Sequence, residues 1–245
     1  GFRVIYCDFN PNSVDTIQKI SKKIGFGPDH FIQGSYQELL SFCQSKNLTI
    51  DYLISTDTIE HIYDLDEMFN YFKKLNPSLE MIFTTASNPK NFIKSKALRK
   101  LMKKDEIEEF IPLRKQYLST HYPNLIEDEV NLLAINSRGL RYVDLNDFVN
   151  YYTQNKKLKT VDVDQFNCCE PDFGSWTERI LPLKNYHELA DHYNFNCTIA
   201  NGFYCDLDKK GIKKEVVSMV NLITLKTNKI GLILSPFMTL KFEPK

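Results

Sequence analysis

The chain is poor in glycine and shows no excess of charge of either sign. Only 9 of its 245 residues are glycine, and no glycine-rich phosphate loop is present. Lysine and arginine total 31, as do aspartate and glutamate, so no general attraction to nucleic acid or an anionic membrane is expected. No apolar run approaches the roughly 20 residues that cross a bilayer. The first apolar segment gives way at once to Asp8 and Asn10, unlike a signal peptide. We expect a cytoplasmic protein with neither nucleic acid nor membrane as partner.

The cysteine spacing argues against a disulfide framework and against a zinc site. None of the six cysteines forms a Cys-x-x-Cys pair. The adjacent Cys168 and Cys169 fit a partly buried turn better than a redox or metal element. We therefore expect reduced thiols and no bound metal.

Up to about Ala86, strand-like and helix-like segments alternate with short connections, which is typical of parallel βαβ units. The 42% hydrophobic fraction is that of an ordinary globular protein. The predicted strands are 3–8, 30–33, 50–55 and 80–85, and the predicted helices are 13–23, 36–46 and 65–75. Val14, Ile17, Ile20 and Ile24 form a stripe that should face the sheet.

After Asn88 and Pro89 the pattern becomes helical for some ninety residues, which is too long for a loop. We interpret 90–182 as a mainly helical insertion that caps the sheet, and 1–89 with 183–245 as the α/β core. The predicted insertion helices are 91–103, 107–119, 125–136 and 144–154. A helix at 183–193, a strand at 196–204, a helix at 213–226 and a strand at 238–242 complete the core.

Polar residues follow two of the predicted strands at the points where they end. Asp8 closes the first strand, and the step from Thr56 to His61 follows the apolar run 50–54, which is predicted to be buried. The carboxyl ends of parallel strands meet at one edge of a sheet, where ligands bind. The pattern indicates a site for a nucleoside-containing cofactor.

These two segments resemble the second and fourth strands of the Rossmann-like class I S-adenosylmethionine-dependent methyltransferases. In that family an acidic residue closes the second strand, and a Glu-His pair commonly follows the fourth. The segments 201–204 and 235–240 resemble the family's last strands. The resemblance implies a mostly parallel sheet with helices on both faces, an antiparallel last strand and a helical insertion.

The family's first strand and its glycine-rich loop are not found in the sequence. In the family this strand lies between the second and the fourth. The chain opens on Gly1 without an initiator methionine, so we expect that a segment upstream of Gly1 is missing.

The resemblance implies a cofactor role for three segments. Asp8 would accept hydrogen bonds from the ribose hydroxyls, with Phe9 and Asn10 beside the adenine. Ser35 stands, just before Tyr36, where the family often has an acidic ligand of the adenine amino group. Thr56 and Asp57 would follow the methionine part. Asp8 and Ser35 could instead cap the helices that follow them.

Glu60 and His61 are the predicted catalytic residues at the rim of this site. The ordinary pKa of histidine lies near neutrality, so His61 could take a proton from a hydroxyl acceptor. It could equally be structural, because methyl transfer depends mainly on alignment and desolvation.

The segment 167–179 combines the only tryptophan with acids, an arginine and turn-forming residues. Trp176, Glu178 and Arg179 are candidate substrate contacts, with His121 as a lesser one. Trp176 could also simply anchor the insertion to the core. Basic residues between Lys90 and Lys104 form a cationic helix face, which is either solvated or suited to a phosphate-bearing acceptor.

The sequence therefore predicts methyl transfer from S-adenosylmethionine to a small-molecule or glycan-like acceptor, with oxygen as the favoured acceptor atom. One alternative is an NAD-dependent dehydrogenase or epimerase, for which Tyr152 and Lys156 have the required spacing. The other is a non-catalytic methyltransferase-like binding module.

Overall fold

The structure, a computed structural model, describes residues 1–205, 207 and 209–245 of a mixed α/β protein. The strands are β1 (Ile5–Asp8), β2 (His30–Gln33), β3 (Tyr52–Thr56), β4 (Glu80–Thr85), β5 (Phe195–Asn201) and β6 (Met238–Pro244). The helices are α1 (Pro11–Ile24), α2 (Tyr36–Lys46), α3 (Leu65–Leu75), α4 (Phe92–Asp105), α5 (Ile111–His121), α6 (Glu127–Asn136), α7 (Tyr142–Asn155), α8 (Leu183–His192), α9 (Ile212–Lys226) and α10 (Asn228–Leu234). A π-helical turn, Glu106–Phe110, joins α4 to α5.

Side-chain caps at the helix starts explain why several helices begin where the sequence predicts. Ser35 accepts a hydrogen bond from the Gln37 amide, and Glu38 accepts one from the Ser35 amide, which forms a capping box for α2. Asp64 caps α3 and Asn91 caps α4. Each cap satisfies an amide that the helix itself leaves without a partner.

The described strands form two hydrogen-bonded sheets rather than the single sheet that the sequence predicts. β1 and β2 pair in parallel as one sheet. The other has the order β3-β4-β6-β5, in which β3 and β4 are parallel and β6 is antiparallel to both neighbours. The predicted antiparallel last strand is confirmed. Among the described residues, no strand pairing joins the two sheets.

The main hydrophobic core lies on one face of the four-stranded sheet. Met81, Phe83, Leu240 and Phe242 project from the strands toward α3 and α8. On the opposite face the residues alternate with these and are exposed or half-buried. Within the described residues, α3 and α8 both pack on this face of the four-stranded sheet.

The prediction that the strand containing Ile54 is buried is also wrong. Ile54 is 74% exposed, and Tyr52 on the same face is exposed too. Among the described strands, β3 pairs with β4 alone, so its other edge is open. An apolar run therefore does not by itself show that a strand has partners on both sides.

The apolar stripe of α1 is only partly covered. Val14 is buried, whereas Ile20 and Ile24 are exposed. The helix has 14 residues, but each strand of the sheet beneath it has only four. The second half of α1 thus extends beyond the sheet that the stripe was predicted to face.

Between β4 and α8 the chain forms α4 to α7 and then an irregular segment, 156–182. Leu133, Leu145 and Phe148 form a core of their own among α5, α6 and α7. The fully buried Arg114 is paired with Glu106 of the π-helical turn and donates to the Ala134 carbonyl oxygen at 2.9 Å. This region therefore has its own packing and its own buried ion pair.

In the part of the chain that the structure describes, every helix is too short or too polar to cross a membrane.

Candidate functional site

The carboxyl ends of both sheets lie at the same edge of the molecule. Tyr36 and Gln37 begin α2 directly after β2, and their side chains donate to the carboxylate of Glu67 at 3.1 and 3.2 Å. Glu67 lies in the first turn of α3, which follows β3. Since α2 and α3 pack side by side, the ends of β2 and β3 are held together.

Asp8 belongs to this edge because β1 runs parallel to β2. Asp8 pairs with Gln33 in the strand register, and the Gly34 amide donates to the Asp8 carbonyl oxygen at 3.0 Å. The Asp8 side chain accepts from the Asn10 amide at 2.8 Å and from the Tyr6 hydroxyl at 3.1 Å. Phe9 and Asn10 are exposed beside it.

Ser35 and Tyr36 lie next to this strand end, and the hydroxyl groups of both already make hydrogen bonds. The Ser35 hydroxyl donates to Glu38 at 2.8 Å while it accepts from the Gln37 amide at 3.2 Å. The thiol of Cys7 lies 3.4 Å from the Gly34 carbonyl oxygen. Asp8, Ser35 and Tyr36 thus surround the ends of β1 and β2.

The backbone after β3 turns sharply through Asp57. Its φ of 52° lies in the left-handed region, which residues other than glycine seldom adopt. The Asp57 amide donates to the Thr84 carbonyl oxygen at 2.9 Å, which fixes this turn to β4. Thr56 and Asp57 are exposed at the edge, and the chain then enters the interior at Ile59 and Glu60. Strained backbone of this kind is concentrated at functional sites.

Glu60 is a buried carboxyl group without a hydrogen-bond partner among the described residues. It is 1% exposed. Removal from water raises its pKa to about 7, and the nearby Asp57 carboxylate adds to the rise. Thr85 and His61 favour the ionised form and so limit the rise in pKa. Burial thus makes the Glu60 carboxyl group a weaker acid than an exposed glutamate.

Tyr186 of α8 lies close to Glu60. Its hydroxyl is buried and also lacks a described hydrogen-bond partner. Burial and the negative charge of Glu60 raise the tyrosine pKa, whereas the positive charge of Arg179 lowers it. The charges of Glu60, a predicted catalytic residue, and of Arg179, a predicted substrate contact, thus both act on the Tyr186 hydroxyl.

His61 joins the sheet edge to the segment that contains Trp176. Its Nδ1 atom lies 2.8 Å from the Trp176 carbonyl oxygen, and the Trp176 amide donates to the His61 carbonyl oxygen at 3.1 Å. A carbonyl oxygen can only accept, so Nδ1 carries the proton and Nε2 keeps its lone pair. His61 is therefore available as a base through Nε2.

Four side chains from three parts of the chain form a continuous stack. The rings of Tyr63 and Trp176 are nearly parallel, at 9°, with centroids 5.4 Å apart. The guanidinium of Arg141 lies 4.3 Å from the Tyr63 centroid, and that of Arg179 lies 4.9 Å from the Trp176 centroid. Both Trp176 and Arg179 also donate to the Tyr63 carbonyl oxygen. We call these four residues the cation–aromatic stack.

The end of β4 contributes a further contact to the segment that contains Trp176. The Ser87 hydroxyl donates to Glu178 at 2.6 Å, and the Ser87 amide donates to the Thr85 hydroxyl at 3.1 Å. Glu178 is thereby fixed at the end of β4, beside the strand whose end leads to Glu60.

The structure thus brings Glu60, His61, Trp176, Glu178 and Arg179 together, although more than a hundred residues separate the two groups in sequence. His121 lies apart from them. It is exposed at the end of α5, where its ring stacks on Tyr117 at 4.0 Å and Nδ1 bonds to the Tyr117 carbonyl oxygen.

Sequence reasoning missed Tyr63, Ser87 and Tyr186. The polar run from Thr84 to Asn88, after apolar residues of β4, marks Ser87 as a strand-end residue in the same way as Asp8. Tyr63 and Tyr186 carry no such pattern, because their roles depend on contacts with distant segments.

The two cavities described lie beside this site rather than within it. One, of about 360 Å³, is lined by Asn136, Arg138 and residues 158–161 and 163–165 of the insertion. The other, of about 330 Å³, is lined by Tyr6, Asn12 and Ile17, next to Asp8. Neither cavity is lined by Glu60 or His61.

Comparison with models of protein families gives no match, and comparison with curated proteins gives none either.

Proposed function

We propose that the protein is a methyltransferase that uses S-adenosylmethionine and acts on a small-molecule or glycan-like acceptor. The observation that carries the proposal is the common edge: the acidic end of β1 and the Glu60-His61 step after β3 lie at the same end of the two sheets. The family that the sequence resembles uses these two places for the two ends of the cofactor.

The strand order supports the same proposal. With one strand placed between β1 and β3, the order would be a seven-stranded sheet in which β6 alone is antiparallel. That position is where the family has its first strand, and the antiparallel strand is the last one in the chain, as in the family.

The residues at the end of β1 are compatible with a ribose. Each carboxylate oxygen of Asp8 accepts one hydrogen bond, from Tyr6 or from Asn10, so acceptor capacity remains for two hydroxyl groups. The Ser35 hydroxyl also retains one lone pair for the adenine amino group. When bound, S-adenosylmethionine supplies an activated methyl group.

The other residues would hold the acceptor. The cation–aromatic stack gives a rigid wall beside His61, while Glu178 offers a carboxylate that binds hydroxyl groups. His61 Nε2 would take the proton that an acceptor hydroxyl loses. A carboxylate beside a base suits a polyhydroxylated acceptor such as a glycan.

The dehydrogenase alternative gains no support from the geometry. The Tyr152 hydroxyl and the Lys156 ammonium both bond to Glu129, at 3.2 and 3.0 Å, in the helical insertion. They do not lie at the strand ends. A titration with NAD distinguishes the two activities.

Calorimetric titration with S-adenosylhomocysteine tests the proposal. We expect saturable binding by the protein, and binding about 10 to 100 times weaker for Asp8→Ala, since a hydrogen bond to a charged group contributes roughly 1.5–3 kcal/mol. Asp15→Ala, on the exposed side of α1, is the matched control and should bind like the unmodified protein. Absence of binding by the folded protein, or equal binding by Asp8→Ala, would contradict the proposal.

A further inference from the structure

The pair of helices α9 and α10 leaves much apolar side chain uncovered. Among the described side chains of α9, Thr224 alone is buried, whereas Met219 and Leu222 are 58% and 53% exposed. The other exposed apolar residues of the pair are Ile212, Val216, Ile223, Leu225, Ile230, Ile233 and Leu234. Two packed helices that expose this many apolar side chains are typical of an interaction surface.

The beginning of α4 extends this surface. The side chains of Asn88 and Asn91 donate to the carbonyl oxygens of Leu232 and Ser235, each at 2.8 Å, so α4 starts against the end of α10. Phe92 is exposed there, and Ile93 is 85% exposed. We call α9, α10 and the first turn of α4 the apolar surface.

Lysines lie at both ends of α9 and at the beginning of α4. Lys213, Lys214 and Lys226 belong to α9, whose sequence contains a single acidic residue, Glu215. Lys90 precedes α4, while Lys94 and Lys96 lie at its beginning, and the first turn of this helix has no acidic residue. Acidic residues elsewhere balance these charges, so the composition of the whole chain conceals this local excess.

We propose that the apolar surface docks onto an anionic membrane surface. Apolar side chains flanked by lysines are what an interfacial helix needs, because the side chains enter the headgroup region while the ammonium groups meet anionic lipids. A second copy of the chain fits less well. A two-fold contact through this surface would bring the same lysines against one another.

The apolar surface adjoins the edge that carries the candidate site. Asn88 directly follows Ser87, whose hydroxyl bonds to Glu178. A membrane on this surface would lie beside the residues that hold an acceptor. Docking depends on the exposed apolar side chains and the lysines, and methyl transfer depends on the strand ends. The protein could therefore bind vesicles without binding S-adenosylhomocysteine, or the reverse.

Co-sedimentation with lipid vesicles tests the proposal. One set of vesicles contains phosphatidylcholine alone, and the other contains phosphatidylcholine with one quarter phosphatidylserine. We expect binding to the anionic vesicles only, reversed by high salt. Leu222→Glu should weaken it at least about tenfold, since it replaces an apolar side chain that enters the headgroup region with a negative charge. Val143→Glu, at an exposed apolar residue of α7, is the control and should bind like the unmodified protein.

A second pair of variants tests the charge. Lys213→Glu with Lys214→Glu should abolish binding, whereas Lys22→Glu with Lys23→Glu, two neighbouring lysines of α1, should not. Three results would overturn the proposal: no vesicle binding by the folded protein, equal binding to neutral and anionic vesicles, or a dimer that Leu222→Glu dissociates.

Discussion

Glu60 carries a carboxyl group that folding removes from water without giving it a described hydrogen-bond partner. Its pKa rises from the ordinary value near 4.5 to about 7. The folded state therefore holds a proton that the unfolded state has lost between these two values. By linkage, the free energy of unfolding falls as pH rises through this window.

We predict that Glu60→Gln removes this pH dependence. Between pH 5 and pH 8, the free energy of unfolding of the unmodified protein should fall by on the order of 2–3 kcal/mol more than that of the variant. The reason is that a tenfold difference in proton affinity between the folded and unfolded states corresponds to about 1.4 kcal/mol. Urea unfolding at the two pH values measures the difference. Glu188→Gln, at an exposed residue of α8, should show no such gain. An equal pH profile for Glu60→Gln and the unmodified protein would show that Glu60 is not buried in this way.

A second prediction at the residue scale concerns the buried Arg114. Its guanidinium pairs with Glu106 and bonds to the Ala134 carbonyl oxygen, and both Arg114 and Glu106 are almost fully buried. Arg114→Met leaves the buried Glu106 charge paired with Arg138 alone, at 3.4 Å, and should lower the free energy of unfolding by about 3 kcal/mol.

Lys104→Met provides the matched control for Arg114→Met. It breaks the exposed pair with Glu108 on the same helical segment and should cost less than about 1 kcal/mol. Chemical denaturation of both variants gives the comparison. Similar losses in the two would mean that the Arg114 pair is not shielded from water.

At the scale of elements, the segment 168–179 is held to the sheet edge chiefly through Trp176. The indole stacks on Tyr63, and its main chain makes two hydrogen bonds with His61. We predict that Trp176→Ala lowers the free energy of unfolding by about 3–5 kcal/mol. It should also speed amide hydrogen exchange in 168–179.

Phe173 lies in the same segment but is 83% exposed, so Phe173→Ala is the control. It should change the free energy of unfolding by less than about 0.5 kcal/mol. If both variants left hydrogen exchange in this segment unchanged, the cation–aromatic stack would not be what holds it.

Sequence patterns predict most element positions because apolar periodicity and caps are local signals. The bounds of α2, α3, β2 and β4 agree with the prediction. α10 was missed because it is only seven residues long and contains Gly231, which disfavours a helix. The π-helical turn was missed because its hydrogen bonding adds one residue per turn and leaves no periodic pattern in five residues.

At the scale of the whole molecule, the sequence predicts which strand ends are polar but not how the sheets divide. Ile54 is an apolar residue of the kind that fills protein cores, yet it is exposed. Its exposure depends on which elements pack beside it, and the local sequence does not contain that information. The contacts of Trp176 with His61 and of Glu178 with Ser87 join segments about a hundred residues apart. Residue types could suggest these candidates, and only the folded chain brings them together.

Hydrogen exchange with and without S-adenosylhomocysteine tests the common edge most directly. We predict that the ligand protects amides in 8–10 and in 56–61 in the same titration, because both strand ends would contact one bound molecule. Protection of only one of these segments, or protection confined to residues 158–165 beside the larger cavity, would contradict the account.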